Sequence, residues 1–203
     1  AQKLSPLVER DREDLSYLES VFLSLDEARD LNDLGEIERE LSSQGFASHS
    51  KTQHGASGRR EHDSPRSAGL RPEREAGGAV RCARFVTTAG EEVLAGRNNS
   101  QNDYVTFRAS RRDDLWFHAK GVPGAHVVLR VGRLPSSEQS LVEAATIAAT
   151  MSGARSATKV EVDYCKVQDV KKRPGSRPGH VLYDRFRTII VRPDPDMISA
   201  LSR

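Results

Sequence analysis

Residues 46–79 constrain this chain more than any other stretch: they hold almost no large apolar side chains and are rich in Gly, Ser, Arg and His. Ordering a backbone costs about 1–2 kcal/mol per residue, and such a segment buries too little surface to offset that. It reads as a disordered linker, dividing the 203-residue chain into a helical arm over 1–45 and a globular domain over 80–203. Charge follows the division. Residues 1–45 carry 5 Lys or Arg against 12 acids (net −7), the linker 6 against 4 (+2), and the domain 20 against 13 (+7). The near-neutral total therefore conceals an acidic arm and a basic domain, and the latter favours an anionic partner such as nucleic acid.

In the arm, Leu4, Val8, Leu15, Leu18, Phe22 and Leu25 recur at the spacing of a coiled-coil seam, broken at Asp11. A second, shorter helix is expected from an Asp30 N-cap through Leu34, Ile37 and Leu41 to a stop at Gly45. Gly35 inside it costs about 1 kcal/mol relative to Ala, so this helix needs a partner, which the seam on the first can supply. The arm is a packing or spacer element with possible protein contacts and no chemistry of its own.

The domain opens with a hairpin, Arg81 to Thr87 and Glu92 to Ala95, turning at Ala89-Gly90. A polar cluster follows, with Arg97, Asn98, Asn99, Gln101, Asn102 and Asp103, whose Asn and Asp side chains suit turns as well as binding. Tyr104 to Ala109 reads as a strand. From Asp114 to Ala119 acid, indole and imidazole alternate with Leu115, Phe117 and Ala119, the period-two pattern of a half-buried strand. Asp114, Trp116 and His118 then share one face at about 7 Å intervals, the spacing of a binding surface rather than of a compact catalytic dyad. Gly121-Val-Pro-Gly124 breaks the strand, and Ala125 to Val131 resumes with His126 on one face. One clear helix follows Pro135, capped by Ser136 or Ser137, with Leu141, Ala144, Ala145, Ala148 and Met151 as a small-residue face suited to lying on a sheet.

Lys159 to Tyr164 and Val167 to Lys171 read as further strands, and Arg187 to Val191 closes the sheet. Between them Lys171, Lys172, Arg173, Arg177 and His180 occupy a loop stiffened by Pro174 and Pro178, with Gly175 and Gly179 free to turn. A rigid basic loop suits phosphate contact. The fold class is thus α+β, a mostly antiparallel sheet with one principal helix.

No metal, cofactor or catalytic activity is expected. His49, His54 and His62 lie scattered in the linker, and His118 and His126 have only Asp114 as a third donor. A nuclease using Asp114 with His118 or His126 is the enzymatic rival, lacking a nucleophile or metal set. Two cysteines, Cys82 and Cys165, suit a reducing compartment, and with no signal or membrane-spanning run visible the chain reads as cytoplasmic. Its start at Ala1, already in a helical pattern, is that expected of a fragment.

Four stretches, GRNNSQND, DDLWFHAKGVPGAHVVL, AATIAA and VDYCKVQDVKKRPGSRPGHVLYDRFRTIIVRPD, resemble the NFACT-R domain, the C-terminal RNA-binding domain of NFACT proteins. That family includes the bacterial fibronectin-binding protein A-like factors and the eukaryotic nuclear export mediator factor. LESVFLSLDEARDLNDLGEIERELSSQGF is similar to the end of the family's coiled-coil arm. Cys165 stands where Thr is usual, and Ala125 where Ser is. The resemblance implies a ribosome quality-control factor that binds the large subunit carrying stalled peptidyl-tRNA and recruits tRNA for template-free alanine tailing. It implies contact with tRNA or ribosomal RNA: phosphates at Lys171, Lys172 and Arg173, sugar or base edges at Arg97, Asn98, Asn99 and Asn102, and stacking or ribose contact at Trp116 and His118. Asp114, Lys120, His126 and Arg177 belong to the same expected surface. Trp116 has a second expected role, as core. The alternative to RNA is a protein-binding, adhesin-type module.

Overall fold

The structure, a computed structural model, describes residues 4–47, 82–132 and 136–203, and the backbone alone at residues 4–7. All but the first two residues of the expected linker, with its three histidines, lie outside these.

The arm is α1 (Leu4–Glu27) and α2 (Leu31–Ser43). Asp30 caps α2 as its sequence indicates, accepting from the amides of Asn32 and Asp33 at 2.8 and 3.0 Å. Gly45 follows the end at φ +80°, a conformation that favours glycine. The helices pack through Tyr17, Val21 and Ile37, with Leu18 and Leu41 beside them. The expected seam is therefore not the joint: Val8, Leu15, Phe22 and Leu25 are exposed, Phe22 at 71%. The buried residues sit one position before the seam's Leu18 and Phe22, turned toward α2 and the domain.

The domain is built on a six-stranded, wholly antiparallel sheet: β1 (Ala83–Val86), β2 (Glu92–Ala95), β3 (Leu115–Ala119), β4 (Val127–Leu129), β5 (Val160–Lys166) and, later in the chain, β8 (Arg187–Val191). Its order is β1-β2-β4-β3-β5-β8. The α+β class holds, and register shows how alternation makes two layers. Leu94 faces Val128, Val128 faces Trp116 and Trp116 faces Cys165, one continuous row across four strands. The neighbouring row, Ala95, Val127, Phe117 and Tyr164, projects to the opposite side.

That opposite side is covered by the principal helix α4 (Glu138–Thr150) and by the short α5 (Pro195–Leu201). Ser137 is the α4 cap, accepting from the Ser140 amide at 3.1 Å. Ala144, Ala145, Ile147 and Ala148 are fully buried, so small side chains let the helix lie close on Phe117, Val127 and Leu129. The other side is covered by α3 (Asn99–Tyr104), the π-helical turn Val105–Ala109 that continues it, and a separate ribbon of β6 (Val170–Lys171) and β7 (Leu182–Tyr183).

Two expected strands are thereby corrected. Tyr104 to Ala109 is helical despite its β-branched and aromatic residues, because the Asn98 carboxamide caps the segment at the Gln101 amide (2.8 Å) and burial of Val105 and Thr106 outweighs local propensity. Val167 to Lys171 begins as a 3₁₀ turn, Val167–Asp169, and only its last two residues pair, with β7.

Candidate nucleic-acid interface

β3 delivers Trp116 and His118 to the layer opposite α4, and β4 is preceded there by His126. The Gly121–Gly124 bend that joins them is tied to the end of α4, with Ala125 N donating to Met151 O and Gly153 N to Pro123 O, both at 2.9 Å. The three rings meet: Trp116 stacks on His118 at 5.6 Å between centroids, and His126 sets its edge against Trp116 (5.1 Å) and His118 (5.4 Å). Tyr183 of β7 leans on Trp116 at 4.9 Å. Its hydroxyl donates to Asp163 at 2.9 Å, as does Thr188 at 2.6 Å, so the buried acid opposite His118 is held by two hydroxyls.

Both imidazoles are neutral at pH 7. Burial lowers His118 to about 4 against the opposing attraction of Asp163. His126 is pushed well below its ordinary value by burial first, then by His118 and Lys172. Thr106 Oγ1 lies 2.9 Å from His126 Nδ1, whereas neither ring nitrogen of His118 makes a hydrogen bond among the described residues. The rings line a cavity of about 370 Å³ whose opposite wall is α1, through Ser16, Tyr17 and Ser20, and whose rim includes Arg177 to Val181.

Trp116 is wholly buried and serves as core. Asp114 is buried just before β3, where its oxygens accept from the amides of Arg111 (2.7 Å) and Val131 (3.0 Å). It closes a loop, and the proton-transfer pair imagined with His118 or His126 is not assembled. Lys120 is exposed at the end of β3 and pairs with Glu161 at 2.9 Å.

The polar cluster after β2 is not a free surface. Asn98 and Gln101 donate to Glu36 of α2 at 2.9 and 2.7 Å. Glu40, itself buried, accepts from Asn99 (3.0 Å), from the Ser100 amide (2.8 Å) and hydroxyl (2.7 Å), and from Tyr17 (3.2 Å). Arg97 faces Asp33 at 3.8 Å. Asn102 turns inward, accepting from the His126 amide at 2.8 Å and donating to Gly124 O at 3.2 Å. A Cβ at Gly96 would meet the Asn102 backbone nitrogen at 2.6 Å, so glycine there permits the close approach.

The basic loop divides. Lys172 is turned in, its ammonium on Asp103 (2.7 and 2.8 Å) and on Arg177 O (2.8 Å), and Gly179 N also donates to Asp103. It fastens the loop to α3 rather than offering charge to a phosphate. Arg177 pairs with Asp14 of α1 and lies 4.5 Å over Phe46 and 5.1 Å over Tyr17. Phe46, nominally in the linker, stacks on Tyr17 and belongs to the arm. Arg173 reaches Glu13 at 3.3 Å from an exposed position, and Lys171 stays exposed, 3.5 Å from Asp184. Glu36, Glu40, Tyr17, Asp163 and Tyr183 escaped the sequence reading. The one signal that could have found the first two was the matched excess of charge, negative in the arm and positive in the domain.

A model of the NFACT protein RNA binding domain matches residues 81–184, which contain the ring cluster, the polar helix and the basic loop. The chain belongs to that family. Curated relatives include the Rqc2 homolog RqcH of Bacillus subtilis (strain 168), 45% identical over 119 residues, 59% of this chain and 20% of that protein. The Rqc2 homolog RqcH of Streptococcus suis (strain 05ZYH33) is 33% identical over 199 residues, 98% of this chain and 32% of that one. This NFACT chain therefore spans about a third or less of those relatives' length. A solved structure, the C-terminal of the fibronectin/fibrinogen-binding protein from Streptococcus suis, matches with a TM-score of 0.79 at 33% identity, covering 100% of this chain and 72% of that one. Among the described residues of this NFACT domain no helix is long and apolar enough to cross a membrane, and no three His, Cys, Asp or Glu are grouped to hold a metal ion.

Proposed function

We propose that this domain binds structured RNA, tRNA first and large-subunit ribosomal RNA second, as part of a cytoplasmic ribosome quality-control factor that acts on stalled peptidyl-tRNA and supports template-free alanine tailing. One coincidence carries the reading: the segment matched by the RNA-binding family is the segment that holds the basic loop and the ring cluster. The relatives' names as Rqc2 homologs support the cellular process. In this reading the domain contributes binding and no chemical step.

Lys171 and Arg173 are the loop's outward cations and take the phosphates, while Lys172 holds the loop's shape. Arg177 contacts RNA only by exchanging Asp14, and Arg97, Asn98 and Asn99 only after α2 withdraws, since its carboxylates occupy the same donors. His118 meets RNA through the cavity. A filter-binding titration against tRNA, duplex DNA and single-stranded RNA at two salt concentrations tests this. Salt-sensitive preference for tRNA is expected, and Lys171→Ala with Arg173→Ala should reduce the salt slope by about one per cation removed. An unchanged slope removes the loop from the interface, and absence of RNA binding at low salt overturns the reading.

A protein-binding role is favoured by a different observation, the exposed stripe Val8, Leu15, Phe22 and Leu25 on α1. Binding to immobilised fibronectin that Phe22→Ser abolishes, with tRNA binding unchanged, would assign that role to the stripe.

A further inference from the structure

The cavity between α1 and the ring cluster differs from the charged loop beside it in what it can hold. Its about 370 Å³ lies near the lower end of the roughly 300–1,000 Å³ typical of ligand pockets, room for one small heterocycle and not for a stacked run. Its floor is aromatic and uncharged: Trp116, Tyr183 and the two imidazoles. His118, half-buried on that floor, makes no hydrogen bond among the described residues, and a neutral imidazole offers one donor and one acceptor. The indole N–H of Trp116 is likewise buried without an acceptor. Charge at the mouth does not favour a free anion: among the described residues Glu13 and Glu19 line it, Glu13 shared with Arg173 of the loop, and the lining cation Arg177 is already committed to Asp14.

We propose that this cavity receives a single unpaired nucleobase of the bound RNA, with α1 as its outer wall. The proposal rests on the RNA-binding reading and adds where one base goes. The same loop serves both parts of a nucleotide: Lys171 and Arg173 stand outside for phosphates, while Arg177 to Val181 line the cavity into which the base turns. A base supplies a planar face for the rings and adjacent donor and acceptor atoms on its edge for His118, and carries no charge past Glu13 and Glu19.

Trp116 is the chain's only tryptophan, so its fluorescence reports the cavity directly. The test titrates the whole chain with tRNA, with uniform RNA pentanucleotides of each base, and with a blunt RNA duplex that offers no unpaired base. Two variants accompany it. Ser16→Phe fills the cavity from an exposed position on α1, and His118→Leu removes the base-edge partner. Saturable change of Trp116 emission with tRNA and at least one pentanucleotide, absent with the duplex, is expected. Ser16→Phe should abolish that change and weaken tRNA binding about tenfold with the salt slope unaltered, since a stacked base releases no counterions. His118→Leu should lower affinity for the preferred pentanucleotide more than for the others. If tRNA binds but neither the emission nor the Ser16→Phe affinity moves, the pocket proposal fails and the RNA reading stands. If no RNA binds, both fail; if emission responds to the duplex as to the pentanucleotides, unpaired-base capture is overturned.

Discussion

The two faces of the sheet are built from alternate residues of the same strands, yet they do opposite things. On the α4 side Phe117, Val127, Leu129 and Ile147 close an apolar core, with the buried Glu143 of α4 held at its edge by Thr88. On the other side the apolar row of Leu94, Val128, Trp116 and Cys165 is short and gives way to His118, His126 and Asp163, then to the cavity and finally to the acidic arm. The first face is stabilised by non-directional burial and tolerates no opening. The second is held by hydrogen bonds with definite partners, which can be exchanged one for one with those of a ligand. The difference explains why one fold can present a site without weakening its own core.

The largest effect should fall on the dry face. Phe117→Ala removes a fully buried ring under α4 and is expected to cost about 3–5 kcal/mol, read as a lowered denaturant midpoint. A loss below about 1 kcal/mol would show that this face is loosely packed and break the contrast. Next comes the hydrogen-bonded face. Glu40→Ala removes an acceptor from Asn99, Ser100 and Tyr17 at once, leaving Asn99 only Ser20, and should weaken arm docking by about 2–3 kcal/mol, seen as faster amide exchange over residues 31–43. The same variant sharpens the comparison, because loosening the arm takes away the cavity's outer wall and should weaken tRNA binding. Stronger binding would mean that the arm covers Arg97, Asn98 and Asn99 instead of completing the RNA surface.

Protonation offers a third test confined to one face. The His118 imidazole titrates at about 4 in the fold, against an ordinary value of 6.5. Above pH 6.5 both folded and unfolded chains hold it neutral, and its contribution is fully present. Between 6.5 and about 4 only the unfolded chain gains the proton, so stability falls across that window, by at most about 3 kcal/mol, and levels below it. His118→Gln should flatten the fall. A denaturant series at pH 7.5, 6, 5 and 4 checks this, and equal slopes for both proteins would place the pH sensitivity elsewhere, as at His126.

What could be read from the sequence and what could not divides along the same line. Period-two alternation from Leu115 to Ala119 places every residue on its correct face, because burial by α4 is a local hydrophobic signal repeated on each strand. The second core and the arm's grip on Asn98 to Gln101 are not local. Their partners, Glu36 and Glu40, lie 59 to 65 positions away along the chain, across a segment whose composition says nothing of where it leads. Lys172 shows the same limit: a lysine in a basic loop looks solvated until Asp103, 69 positions earlier, is seen beneath it. The helical arm is legible as helix, but its buried face lies one position from the heptad seam. Tyr17 and Val21 find partners in the domain and α2, whereas the stronger heptad of Leu15, Phe22 and Leu25 finds none among the described residues.

The smallest expected effect concerns the ion pairs at the edge of the arm. Arg155 follows α4 and reaches Asp26 and Glu27 at 3.0 Å each, but its side chain is 40% exposed and that of Asp26 64%. Exposed pairs of this kind contribute about 0–1 kcal/mol and are screened by salt. Arg155→Ala should therefore leave arm docking nearly unchanged, within about 0.5 kcal/mol by amide exchange over residues 31–43, at low and high salt alike. Glu40 differs in being buried, as are its partners Tyr17 and Asn99, and its effect should survive high salt. If Arg155→Ala loosened the arm as much as Glu40→Ala, and salt did the same to the unaltered chain, docking would be governed by the opposed net charges of arm and domain. The arm would then be a diffuse counterion rather than a fitted wall, and any polyanion would displace it equally well. Retention of the arm in high salt, with loss on Glu40→Ala, means instead that displacement requires a ligand able to satisfy Asn99 and Ser100 donor by donor.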